Sequence, residues 1–435
     1  MGLTREDYEN YTLILREELV PAMGCTEPIA VAYAASKAGQ ALGEEAVHLN
    51  VRCSGNIIKN VKGVTVPNSG NQKGIEVAAT LGLIGGDPDK VLEVIAGVTN
   101  EQRAFAGKKV AEGFCEVELQ EGVPNLYIKA TAEGKNHTAS VLIENTHTNI
   151  TRIEKDGEVI FAAEEKEDGT KLLEKVGDRR KMTLRGLLEY CDTVELSEVR
   201  DTLERQIECN SAISQEGLDN PWGARVGKTL LENWGSDVKS RACARAAAGS
   251  DARMSGCPLP VVINSGSGNQ GITVTLPVLT YAAEWQISHD KMLRALLVSN
   301  MVSIYIKHYI GALSAFCGAV SAATGAGAAI TYMFGGDYDT IGRTITNTLG
   351  NVGGIVCDGA KPSCAAKIAS SVHAALLAHY MSIGDKEFKG GEGFIENDVE
   401  KTIKNMSYIG KIGMKETDIE ILNVMIDKVD VDSCL

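Results

Sequence analysis

The chain has no excess of positive charge: 43 Lys and Arg face 57 Asp and Glu, a formal net charge of −14. Nucleic-acid and membrane-surface binding both need a basic patch to meet phosphates, so a small soluble substrate is expected instead. Aromatic residues are scarce too, at 5% of 435 positions, while Ala is abundant and Gly occupies 46 positions. That balance suits closely packed helices. With 44% hydrophobic and 23% charged residues the composition is globular, and the length predicts two domains.

No apolar leader opens the sequence. "MGLTREDYENYTLILREELV" mixes acidic and basic side chains throughout, so a cytoplasmic protein is expected. In that compartment the eleven cysteines, an odd number, are read as buried thiols, reactive thiols or metal ligands and not as a disulfide framework. One uncharged run, residues 309–336, is long enough to span a bilayer. It is rich in Gly, Ala, Ser and Thr and has no basic flank, so it is expected to be a buried helix pair.

The pattern predicts an α+β fold in two regimes. Residues 1–195 read as two helices broken at "VPAMGCTEP", a strand at 46–53, helices near 74–85 and 89–113, and strands near 114–119, 125–132, 137–144 and 149–155. The strands suggest an antiparallel-type sheet. In residues 196–435 strand signals nearly vanish and apolar positions recur at helical spacing, which predicts a mostly all-α half.

Two stretches echo each other. "PNSGNQKGIEVAATLGLIGG" (67–86) and "INSGSGNQGITVTLPVLTYA" (263–282) each place Ser-Gly, Asn-Gln and Gly-Ile before an apolar helix. Free backbone N–H groups at such a helix start can hold a carboxylate or phosphate. Neither stretch fits the P-loop pattern, and no dinucleotide fingerprint is present. Nor is there a CxxC pair or a zinc-finger Cys-His spacing. Cys53, Cys115, Cys191, Cys209, Cys243 and Cys257 are expected as buried or structural residues. Cys357 and Cys364 differ: six residues separate them in a loop closed by Pro362, and Cys317 lies in the small-residue run expected to pack nearby.

Taken together and in order, "MGCTEPIAVA", "VPNSGNQKG", "SDARMSG", "NSGSGNQG" and "VCDGAKPSC" resemble the L-cysteine desulfidases, relatives of the catalytic subunit of iron–sulfur L-serine dehydratases. The resemblance runs over nearly the whole chain. It implies a [4Fe–4S] cluster held by Cys317, Cys357 and Cys364, with Cys25 as the base that removes the α-proton. Three thiolates would leave one iron open as a Lewis acid, and a substrate thiolate is a soft ligand suited to it. The expected reaction is β-elimination of L-cysteine to sulfide, ammonia and pyruvate.

Cys25 precedes "TEP", where Thr26 is expected to cap a helix begun by Pro28. A thiol so placed can fall from about 8.5 into the range of roughly 3.5 to 7.5, and so be a thiolate at neutral pH. Glu27 is a second proton-transfer candidate beside simple dipole stabilisation, and His147 and His308 are further candidates. Ser69, Gly70, Asn71 and Gln72, with Ser267, Gly268, Asn269 and Gln270, are expected to bind the substrate. The penultimate Cys434 is either a fourth iron ligand or a free tail.

The alternatives are an iron–sulfur L-serine dehydratase, a pyridoxal-phosphate lyase using Lys59, and a non-enzymatic iron–sulfur sensor or amino-acid-binding protein. The Ser-Ser-His-Thr motif of the serine enzymes is missing, which favours cysteine. A homodimer is left open.

Overall fold

The computed structural model describes residues 2–165, 171–172, 177–311 and 313–434. The N-terminal half comprises α1 (Arg5–Glu18), β1 (Pro21–Met23), α2 (Thr26–Leu42), β2 (His48–Cys53), α3 (Gly55–Lys62), α4 (Ile75–Gly85), α5 (Asn100–Ala111), β3 (Cys115–Leu119), β4 (Tyr127–Glu133), β5 (Thr138–Glu144), β6 (Ile150–Lys155), β7 (Glu158–Ala162), β8 (Glu164–Glu165) and β9 (Lys171–Leu172). After it come α6 (Leu184–Thr193), α7 (Arg200–Asp219), α8 (Val226–Trp234), α9 (Val238–Met254), β10 (Pro260–Val262), α10 (Gly268–Glu284), α11 (His289–Ile310), α12 (Gly318–Met333), α13 (Tyr338–Val352), α14 (Cys364–Ile383), α15 (Val399–Tyr408) and α16 (Lys415–Met425). The α+β half followed by a largely helical half is as the sequence predicts.

The main sheet runs β3-β2-β4-β5-β6-β7. All its pairings are antiparallel except β2 with β3, because α3, α4 and α5 intervene there and return the chain in the same direction. Strict alternation sets its faces: Leu49, Val51 and Cys53 are buried, while Asn50 and Arg52 face out and bond Glu118. The alanine-rich α2 lies over the buried face, and α4 packs on α2. Their contact depends on Gly82, where a Cβ would stand 2.1 Å from the Ala32 carbonyl oxygen. Gly217 meets Ala248 and Gly325 meets Ser299 in the same way in the helical half, so small residues, and not aromatics, set the helix spacing.

Two local predictions need correction. The helix expected over 89–113 is a 3-10 segment, Pro88–Glu93, and then α5. Thr99 and Gln102 form a capping box that starts a new helix after the "AGV" turn. The run 309–336 is the end of α11, a connecting loop, and α12, so it contributes one complete helix and not a pair. Among the described residues no helix is long and apolar enough to cross a membrane.

Candidate active site

A three-residue pairing builds the first half of the site. β1 and β10 are antiparallel, with Pro21 opposite Val262 and Met23 opposite Pro260, and each strand leads into a helix start. The N-termini of α2 and α10 therefore lie side by side, joined by a 2.8 Å hydrogen bond from Thr26 Oγ1 to the Gly266 carbonyl. Gly271 lets α10 approach, since a Cβ there would stand 2.0 Å from the Val262 carbonyl oxygen. Gly24 adopts φ +58° in the turn before α2, a conformation that glycine takes without strain.

Cys25, and not Thr26, is the N-cap of α2, and it makes no side-chain capping bond. Its buried thiol instead donates to Glu27 Oε2 at 3.0 Å. Burial first, and then the Glu27 charge, push the thiol well above its ordinary range. The expectation of a resting thiolate is thus overturned: the helix end is outweighed by desolvation and an adjacent carboxylate. Glu27 is itself buried, which alone would raise it, but His147, the Cys25 thiol and Arg253 hold it down at about 2. Glu27 Oε1 stands 3.8 Å from His147 Nε2, beyond hydrogen-bond reach, and that ring nitrogen has no hydrogen-bond partner. Arg253, 2% exposed, donates to the Gly24 carbonyl at 2.8 Å behind the thiol.

The second half is a loop crossing. Phe316 bridges Val356, with Cys317 N–H to the Ile355 carbonyl at 3.0 Å and Cys357 N–H to the Ala315 carbonyl at 2.6 Å. Cys317 caps α12 and Cys364 begins α14. Cys317 and Cys357 act on each other: the Cys317 thiol, with Lys59 and Lys307, holds Cys357 below the ordinary thiol range despite burial, while Cys357 and burial push Cys317 up. Burial pushes Cys364 up as well, and Cys357 adds to it. Cys25, Val64 and Met254 form a small apolar cluster against which Cys364 packs, which joins the two halves. Gln270 lies against Gly318, the residue after Cys317. Among the described residues, no group of three or more His, Cys, Asp or Glu side chains is gathered closely enough to hold a metal ion.

Both echoing loops border the site: Pro67, which opens the first, stands 2.0 Å from where a Cβ on Gly24 would lie, and the second begins α10. Ser69 Oγ is bonded to Gln72 N–H and to its carbonyl within a tight turn, Gly70 and Asn71 are exposed, and Gln72 borders Gly107 of α5. Ser267 caps α10 and Gly268 lies against Arg253; Asn269 Oδ1 and Gln270 Oε1 are buried without a partner. His308 is half-buried beside Tyr309, with ring centroids 5.2 Å apart. The six remaining cysteines are buried and free, as expected. The side chain of Cys434 lies outside the described residues.

Sequence reading passed over Lys307, Arg253 and the ion-pairing role of Lys59. For two of them the signal was a lone basic residue in an otherwise uncharged stretch, Lys307 in "LLVSNMVSIYIKHYI" and Lys59 in "SGNIIKN". Lys59, 1% exposed, is paired with Asp418 of α16 and donates to the Cys357 carbonyl at 3.4 Å. So engaged, it has no free reach toward a carbonyl cofactor, which weakens the pyridoxal-phosphate alternative.

Residues 89–423 match the family model described as serine dehydratase alpha chain. The chain is 48% identical over 430 residues to the UPF0597 protein of Desulfitobacterium hafniense (98% of this chain, 99% of the relative). It is 50% identical over 420 residues to that of Lachnoclostridium phytofermentans (97% and 100%), and 44% over 434 residues to that of Treponema denticola (98% and 100%).

Proposed function

The chain belongs to the serine dehydratase alpha chain family, and from that premise we propose that it is an iron–sulfur lyase eliminating the β-substituent of an L-amino acid, L-cysteine above all. The observation that carries the reading is the buried Cys25–Glu27 hydrogen bond packed against Cys364. Cys25 gives its thiol proton to Glu27, and the thiolate so formed removes the substrate α-proton. His147 and Arg253 keep Glu27 ionised, so its oxygen is always open to the thiol proton; they also make it a weak base, so the proton rests on Cys25 and passes to Glu27 only as the substrate reacts. Loss of sulfide leaves aminoacrylate, whose imine tautomer takes up water and gives pyruvate and ammonia.

Cys317, Cys357 and Cys364 would hold a [4Fe–4S] cluster. Their fit to that group is supported by the softness of the three thiol donors, by the influence of Cys357 on both Cys317 and Cys364, and by Lys59 and Lys307, which would balance thiolate charge, although the three thiols as they stand are not gathered closely enough to hold a metal ion. When bound, the cluster supplies a Lewis acid for the leaving group. Burial of Cys25 and Glu27 excludes water from the proton-transfer pair.

A second reading is favoured by the family description, which names serine dehydratase: the substrate is L-serine and water leaves. The missing Ser-Ser-His-Thr motif supports cysteine. The test is anaerobic reconstitution with iron and sulfide, followed by pyruvate assays with each amino acid. The proposal expects cysteine to be turned over with a higher kcat/KM and one sulfide released per pyruvate. Faster turnover of serine would establish the second reading, and amino-acid binding with no pyruvate from either would mark a sensor or binding protein.

A further inference from the structure

The loop from Val356 to Gly359 turns four consecutive carbonyls toward lysine ammonium groups. Lys367 Nζ donates to the Val356 carbonyl at 2.7 Å and Lys59 Nζ to that of Cys357 at 3.4 Å. Lys361 Nζ donates to those of Asp358 and Gly359 at 3.0 and 3.2 Å. Lys59 comes from α3 and Lys361 from the loop itself, but Lys367 comes from α14, the helix that Cys364 begins. Residues three apart share a helix face, so Lys367 stands one turn along from Cys364. Its ammonium also pairs with the Asp358 carboxylate, which Lys361 shares. Lys367 therefore grips residues 356 and 358, the two neighbours of Cys357, from the element that carries Cys364. The Cys364 thiol makes the other side-chain bond from α14 to this stretch, donating to the Gly359 carbonyl at 3.7 Å. A thiolate cannot donate, so once Cys364 ligates a metal the hold from α14 passes to Lys367. Hydrogen bonds assisted by a charge are roughly twice as strong as neutral ones, which suits a single side chain to that task.

We propose that Lys367 is a positioning residue: it clamps the Cys357 loop to the start of α14 and so sets where Cys357 stands relative to Cys364. The consequence for iron rests on the iron–sulfur reading. Fixing both neighbours of Cys357 beforehand lowers the ordering cost of binding a cluster and slows its loss. Charge balance alone has the opposite consequence at Asp358. If Lys367 served only as a cation, removing the Asp358 carboxylate would leave the site more positive and would hold thiolates better.

The test is hydrogen exchange of the metal-free full chain, and iron release from the anaerobically reconstituted chain to a ferrous chelator, for Lys367→Met, Lys367→Arg and Asp358→Asn. Lys367→Met is expected to exchange about 10- to 100-fold faster across 356–361, which holds the Cys357 amide bonded to Ala315, with exchange in α14 beyond Ser371 unchanged. It is expected to release iron about 10-fold faster than the wild type, and Lys367→Arg to restore part of both. Asp358→Asn keeps every positive charge, yet is expected to speed both as well, because it breaks the ion pair. Unchanged exchange or iron release in Lys367→Met would overturn the clamp, as would longer iron retention by Asp358→Asn. A reconstituted wild type with no thiolate-to-iron absorption would refute the iron–sulfur reading, while faster exchange in both metal-free variants would still establish the clamp.

Discussion

Replacing Glu27 by Gln keeps the volume and one acceptor oxygen next to Cys25 but removes the charge that makes that oxygen a proton acceptor. The 3.0 Å thiol-to-carboxylate bond is the route by which Cys25 becomes a base, so its loss is expected to lower kcat by about 10²–10⁴, or roughly 3–5 kcal/mol of barrier, with little change in KM. The same carboxylate contributes to folding. Held at about 2 instead of its ordinary 4.5, Glu27 stabilises the protein by about 3 kcal/mol above pH 4.5, and this is lost as pH falls toward 2. Glu27→Gln should therefore show a lower urea midpoint at pH 7 and a flatter decline in stability between pH 4.5 and 2. Pyruvate release by the reconstituted variant and urea melts across that range test both arms. Unchanged or faster turnover would refute the relay, since it would mean that Glu27 merely opposes the Cys25 thiolate.

Asp251 is buried, with Oδ2 accepting from Gly227 N–H at 3.0 Å and Oδ1 unpartnered, and burial raises it from 3.8 to about 6. The native state then holds its proton more tightly than the unfolded chain, so stability falls as pH rises from 3.8 to 6 and about 3 kcal/mol is forgone above that. Asp251→Asn should raise the pH 7 melting temperature and remove this slope; an unchanged melting temperature would contradict it. Gly82→Ala, with its Cβ 2.1 Å from the Ala32 carbonyl oxygen, must push α4 from α2 and should cost about 3 kcal/mol in urea melts, whereas a loss under about 0.5 would show that the contact yields. Asp418→Asn removes the charge partnering Lys59, which bonds the Cys357 carbonyl, so it should loosen the 356–364 loop and speed hydrogen exchange there; unchanged exchange would contradict that link.

Sheet strands β4, β5 and β6 were legible because residues such as Ile128, Ala130 and Ala132 alternate with polar neighbours and polar turns separate the runs. The helical half was legible from its apolar period. The break before α5 was missed because the Thr99–Gln102 capping box lies inside an otherwise plausible helical pattern. In the site, the cysteine trio came from the family resemblance; spacing alone left Cys357 and Cys364 an incomplete pair. The two glycine-rich loops look alike in sequence and reach Cys25 by different routes: the first through Pro67 against Gly24, the second through β10, which pairs with β1. That pairing joins residues some 240 positions apart and leaves no local trace. The protonation of Cys25 was misjudged for a related reason: burial and the Glu27 carboxylate outweigh the helix end, and burial depth is a tertiary property.

The central claim is that three cysteines hold the cluster while Cys25 moves the proton, and paired variants separate these roles. Cys357→Ala and Cys25→Ala would be reconstituted anaerobically, with iron content, the visible thiolate-to-iron absorption and pyruvate from L-cysteine measured for each. The account predicts loss of iron and activity in Cys357→Ala, and a wild-type iron content and spectrum with no turnover in Cys25→Ala. Full activity in both variants would contradict it.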